Sequence, residues 1–152
     1  MRKLVVVRHG HGGYAVDSAL TTTGKDASRK LGEKIKALTN GGSFAIATST
    51  STRSYETGCI IAEVVGCEGK PHKNEAIQFP AGAPILYTFI DQLGAQADIV
   101  VLVSHAGSAE NIADRYAMRM GAPCCLSKNP LDYCSGFVVD LESRVVESIS
   151  YE

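Results

Sequence analysis

Residues Ile99-Val100-Val101-Leu102-Val103-Ser104-His105-Ala106-Gly107 decide the fold. The first five positions are all apolar, which is the pattern of a strand covered on both faces rather than wetted on one. Such a strand belongs in the middle of a sheet with helices packed on either side. Immediately after it the chemistry changes to a serine, a histidine and a glycine.

Working outward, strand-like and helix-like segments alternate. Leu86, Phe89, Ile90 and Leu93 precede the buried run at helical spacing, and Ile112, Ala113, Tyr116 and Met120 follow it in the same way. Leu4 to Val7 is a short β-branched run. Ala27, Leu31, Ile35 and Leu38 mark a helix that Asn40-Gly41-Gly42 ends. Phe44 to Ala47 reads as a second strand and Arg53 to about Val65 as a helix with Gly66 near its end. The stretch from Gly69 to Pro84 holds two glycines and three prolines and reads as loop with room for one short strand. Phe137 to Val139 and Arg144 to Ile149 read as closing strands around a turn. Alternation of this kind predicts a three-layer α/β/α sandwich with a mostly parallel central sheet, formed by residues 1–152 as one domain.

Composition narrows the function classes. The chain of 152 residues is 45% hydrophobic and 20% charged, ordinary for a globular protein, with a formal net charge of -1. That charge argues against nucleic acid as the main partner, because such proteins carry a basic surplus or stripe. No apolar run approaches the roughly 18 residues that cross a bilayer, so no membrane partner is expected. The four apolar residues Leu4 to Val7, which end at Arg8-His9, are too few for a signal peptide. Cys59, Cys67, Cys124, Cys125 and Cys134 are odd in number and irregular in spacing, which argues for free thiols in a reducing cytoplasm. No Cys-x-x-Cys pair or carboxylate cluster points to a metal, and no cofactor is expected.

In open α/β sheets, ligands bind beyond the C-terminal ends of the strands. That rule places three segments in one cleft: Arg8-His9-Gly10, Ser49 to Arg53, and Ser104-His105-Ala106-Gly107. Two arginines and two histidines then converge. An arginine fork matches phosphate oxygens, and histidine can attack phosphorus and later release it.

These residues carry a resemblance. Arg8-His9-Gly10, Leu20-Thr21-Thr22-Thr23-Gly24, Ser49-Thr50-Ser51-Thr52-Arg53 with Glu56-Thr57, and Ser104-His105-Ala106-Gly107 follow one another in the order seen in the histidine phosphatase (phosphoglycerate-mutase-like) superfamily. The chain is most similar to its short bacterial phosphohistidine phosphatases. The resemblance implies a metal-independent phosphatase acting on a phosphorylated small molecule or a phosphoprotein, phosphohistidine included. His9 would be the nucleophile. Arg8, Arg53 and His105 would bind the phosphoryl oxygens, with Ala106 in the same phosphate site. Two guanidiniums and one imidazolium would supply the positive charge, and a backbone carbonyl would fix the His9 tautomer.

The leaving group needs a proton. Where many acid-phosphatase members carry an aspartate, this chain has Ala106, so the family's other option applies: a glutamate between the arginine helix and the next one, here Glu75, with Glu56 second. Mutase-type phosphoryl transfer and a phosphate-binding module without catalysis are the competing readings. The short stretches from Gly10 to Leu20 and from Glu68 to Pro84 favour an open site and hydrolysis. His11 is expected to be a solvated loop histidine, His72 a surface residue, and Thr23-Gly24 part of a cap and turn.

Overall fold

A computed structural model describes residues 1–78, 83–122 and 131–152. Cys124, Cys125 and part of the loop before Pro84 lie outside them. The elements are β1 (Lys3–Arg8), α1 (Thr22–Lys36), β2 (Phe44–Thr48), α2 (Thr52–Val65), β3 (His72–Lys73), a single 3-10 turn (Glu75–Ile77), α3 (Ala83–Gly94), β4 (Ile99–Ser104), α4 (Ser108–Arg119), β5 (Ser135–Asp140) and β6 (Val145–Ser150).

The six strands lie in the order β3-β2-β4-β1-β5-β6. The first four are mutually parallel, and β5 and β6 close one side as an antiparallel hairpin. Successive strand residues face opposite sides of the sheet, so the apolar runs feed two cores. Val5 and Val7 pack with Leu31 and Ile35 of α1 and Ile61 of α2. Leu4 and Val6 pack with Leu86 and Ile90 of α3 and Ile112 of α4. All six residues of β4 are buried, as its uninterrupted apolar run requires. Each such side chain contributes about 1.5–3 kcal/mol relative to exposure.

Local signals set the helix ends. Thr21 caps α1 by accepting from the Gly24 N–H, so the threonine cluster is structural. Ser51 caps α2 through the Ser54 N–H, and Gly66 ends it at a φ of 75°, the left-handed conformation that glycine adopts without penalty. The short strand β3 pairs in parallel with β2 through Ala47↔His72 and Thr48↔Lys73, and His72 is exposed.

Register brings the motifs level. Arg8 pairs with Ser104, and Thr48 with Val103. The residues that follow β1, β2 and β4 therefore emerge at one height on the C-terminal edge of the sheet.

Candidate active site

At that edge a cavity of about 460 Å³ is lined by His9, Arg53 and His105, together with Val16, Asp17, Thr50, Ser51 and Gln78. The three motifs thus meet as expected. Arg8 and Ala106 are not among the lining residues, and Ala106 is exposed in the turn between β4 and α4.

His9 is the best-fixed member. Its backbone continues β1, donating to the Ser104 carbonyl at 3.0 Å and accepting from the Cys134 N–H at 3.3 Å. Its Nδ1 lies 2.7 Å from the Gly10 carbonyl oxygen. A carbonyl can only accept, so Nδ1 carries the proton and Nε2 keeps its lone pair. Burial lowers the pKa from 6.5 to about 4, aided by the positive fields of His105, Arg8 and Arg53. His9 is therefore neutral near pH 7.

Arg53 opens α2 and reaches back across the loop that follows His9. Its Nη2 donates to the carbonyls of Gly13 and Ala15, both at 3.0 Å, and to Ser18 Oγ at 3.3 Å. Gly12 makes this path available, because a Cβ there would meet Arg53 Nε at 2.5 Å. Thr57, one turn further along α2, accepts from the Gly10 N–H at 3.0 Å and donates to the Arg53 carbonyl at 2.8 Å. The loop that follows His9 and helix α2 are therefore bolted together.

His105 lies edge-on to His9, with ring centroids 5.0 Å apart. Its Nε2 shares a 2.8 Å hydrogen bond with Ser49 Oγ. Burial, then the nearby Arg53 and Arg8, lower its pKa. These effects favour the neutral ring over the imidazolium expected from the sequence. A bound phosphoryl group would reverse that balance, because an adjacent negative charge favours the protonated ring.

Three buried polar side-chain atoms among the described residues have no hydrogen-bond partner: Arg8 Nε, Arg53 Nε and Glu110 Oε1. Two of the three are guanidinium donors beside His9. Buried unpaired donors are costly, and an anion's oxygens are their natural partners.

The expected acid is not brought to the cavity. Glu75 begins the 3-10 turn, whose buried residue is Ile77, and its side chain is exposed and off the wall. The turn itself is well anchored, since Ser104 Oγ donates to the Ile77 carbonyl at 2.5 Å and Ser108 Oγ to the Gln78 carbonyl at 2.6 Å. The segment thus presents Gln78 rather than Glu75. Glu56 is half-buried on α2 and also off the wall. The carboxylate that does line the cavity is Asp17. It accepts from the Thr52 N–H at 2.7 Å and from Thr52 Oγ1 at 3.0 Å, and these bonds lower its pKa and keep it ionised.

Several contributors lay outside the sequence motifs. Asp17 and Gln78 reach the cavity from loops, where no periodicity marks them. Tyr133, just before β5, packs its ring against Arg8, His9 and His11. His11 is half-buried, with Nδ1 3.0 Å from Thr21 Oγ1, rather than solvated.

The sequence matches no protein-family profile and no curated protein. Solved structures match nearly its full length. The structure of the protein histidine phosphatase SixA complexed with tungstate superposes with a TM-score of 0.69 at 16% identity, covering 98% of this chain and 97% of that one. The native mycobacterial glucosyl-3-phosphoglycerate phosphatase gives a TM-score of 0.67 at 14% identity, covering 99% and 98%. A structure described as mycobacterial hydrolase 1 gives 0.66 at 14% identity, covering 90% of each chain. The chain has the fold of the histidine phosphatases.

Proposed function

We propose that this protein is a metal-independent phosphatase that works through a phosphohistidine on His9. The observation that carries the reading is the state of His9: neutral, its Nδ1 proton tied to Gly10, its Nε2 lone pair free, and two guanidiniums with unpaired buried N–H groups alongside.

The chemistry follows from those groups. Nε2 attacks phosphorus, the bond to the leaving group breaks, and the leaving group departs with its electron pair. The Gly10 carbonyl, already paired with Nδ1–H, stabilises the positive charge that develops on the ring. Arg53, Arg8 and His105 take up charge on the equatorial oxygens. Water then attacks the phosphohistidine, releasing inorganic phosphate and returning the electron pair to Nε2. Arginine and histidine supply here the charge that a metal would bring elsewhere, so turnover should survive EDTA. Loss on chelation, with recovery on adding a divalent cation, would reject the mechanism.

Substrate class follows from the acid. Asp17 on the wall is ionised and engaged by Thr52, and Glu75 faces solvent. The site suits a leaving group that departs with little protonation, such as the imidazole of a phosphohistidine protein or an aryl oxygen. A proton donor to an alkoxide is worth roughly 100-fold or more. Glu75→Gln should therefore change hydrolysis of alkyl phosphates far less than that. A 100-fold loss on alkyl phosphates, with p-nitrophenyl phosphate spared, would restore Glu75 as the acid.

The pH dependence has a definite sign. His9 with a pKa of about 4 stays reactive well below neutrality, so the acid limb of kcat/KM that belongs to His9 should fall near pH 4 rather than near pH 6.5. Folding carries the same signature. Between pH 6.5 and about 4 the unfolded chain binds a proton that the folded one refuses, so stability falls as pH falls through that window. His9→Ala should flatten that slope in chemical-denaturation curves.

The direct test is a screen of the purified protein, in EDTA, against a phosphohistidine protein, aryl phosphates and alkyl phosphates, with His9→Ala as control. The proposal predicts His9-dependent release of phosphate, fastest from the first two. Phosphate release that His9→Ala leaves intact would overturn it.

A further inference from the structure

Among the described residues, Arg8 has no acidic partner. The ion pairs found among the described residues join Arg2 to Glu142, Lys3 to Asp140, Arg29 to Asp26 and Arg119 to Asp91, and none includes Arg8. Its guanidinium instead lies over the Tyr133 ring, 3.9 Å from the centroid. Its Nη1 donates to the Leu131 carbonyl at 2.7 Å, while Nε is buried without a partner. The same ring is 5.9 Å from the His9 ring and meets His11 edge-on at 5.1 Å.

The backbone around Tyr133 is fixed as well. Cys134 donates its N–H to the His9 carbonyl and accepts from the Tyr151 N–H at 3.1 Å. The segment that carries Tyr133 is therefore laced to His9 on one side and, through Tyr151, to the residue that follows β6 on the other.

We propose that Tyr133 is a positioning residue for the phosphate site, its ring and the neighbouring Leu131 carbonyl setting the Arg8 guanidinium beside His9. The physical advantage over a carboxylate is specific. A carboxylate would orient Arg8 but neutralise it and occupy its fork, competing with phosphate. An aromatic face attracts the cation through its quadrupole while leaving the in-plane N–H donors free. The carbonyl takes one donor at Nη1, which fixes rotation about the fork, and Nε is left without a protein partner.

This inference rests on the reading of Arg8 as a phosphate ligand, and its test separates the two. Inorganic phosphate binding, followed by calorimetry, needs no turnover. Wild-type protein should bind phosphate, Tyr133→Phe should bind as wild type because it keeps the ring face, and Tyr133→Leu should bind about 10-fold more weakly. Tyr133→Met, which has similar reach and no ring, replaces the leucine variant if that one melts early. In an Arg8→Met background, which has lost both the fork and the charge, Tyr133→Leu should have almost no further effect. Failure of wild-type protein to bind phosphate defeats the functional reading, and the inference with it. Phosphate binding that Tyr133→Leu or Tyr133→Met leaves unchanged defeats the inference alone. Equal losses in the wild-type and Arg8→Met backgrounds also defeat it, since Tyr133 would then act without Arg8.

Discussion

His9→Ala is expected to lower kcat by roughly 10⁴-fold or more on every substrate, because in the proposed mechanism it removes the bond-forming atom rather than a charge that assists it. Among the described residues, no neighbouring group stands ready to replace it. The His105 ring is 5.0 Å away, with Nε2 engaged by Ser49, and His11 Nδ1 is bonded to Thr21. What survives is attack by water on a phosphoryl group still held by Arg53 and Arg8. The variant should still bind inorganic phosphate, since neither arginine depends on His9 for its contacts. Loss of turnover with phosphate binding retained is the expected pair of results, read by steady-state kinetics and calorimetry on the same preparation. Turnover within tenfold of wild type would end the assignment.

Arg53→Ala should lower kcat/KM by roughly 100-fold or more, the scale of about 2.7–4 kcal/mol for losing one donor aimed at developing charge. The structure adds a second consequence. Arg53 Nη2 also holds Gly13, Ala15 and Ser18, so its loss frees the loop that carries Asp17 and Val16 to the cavity. Arg53→Lys keeps the charge but has neither the fork for phosphate nor the geometry for three acceptors. It should recover little of the loss. Inorganic phosphate should bind both variants more weakly than wild type, and unchanged affinity would place Arg53 outside the phosphate site.

Much of the fold was legible because its strongest signals are local. The apolar run Ile99 to Val103 has a single reading, and all of its residues are buried. The helices α1 and α2 are framed by Thr21, Ser51 and Gly66, whose caps are written in residue type. The strand β3 was legible only as room for a strand, since His72 and Lys73 are exposed and earn their pairing from the neighbouring β2 rather than from any apolar pattern.

The site divides along the same line. His9, Arg53 and His105 each follow a strand or open a helix, so topology alone brings them together. Asp17 and Gln78 arrive through loop paths that no periodicity encodes. Tyr133 sits 125 residues beyond Arg8 in the chain, and only the pairing of β1 with β5 makes them neighbours. Glu75 shows the converse. Its sequence position suited an acid, but the 3-10 turn buries Ile77 and thereby turns Glu75 outward. Protonation was the least legible property. The charge of His105 depends on burial and on two arginines brought close only by folding.

The central claim is that phosphorus passes through His9, and rapid-quench trapping tests it most directly. Wild-type protein is mixed for milliseconds with a ³²P-labelled phosphohistidine protein or aryl phosphate, quenched in alkali, digested and mapped by mass spectrometry. The account predicts an acid-labile, alkali-stable phosphate on the peptide that contains His9, formed and lost fast enough to carry turnover, and absent from His9→Ala. Turnover without a phosphorylated protein, or with the phosphate on another residue, would contradict it.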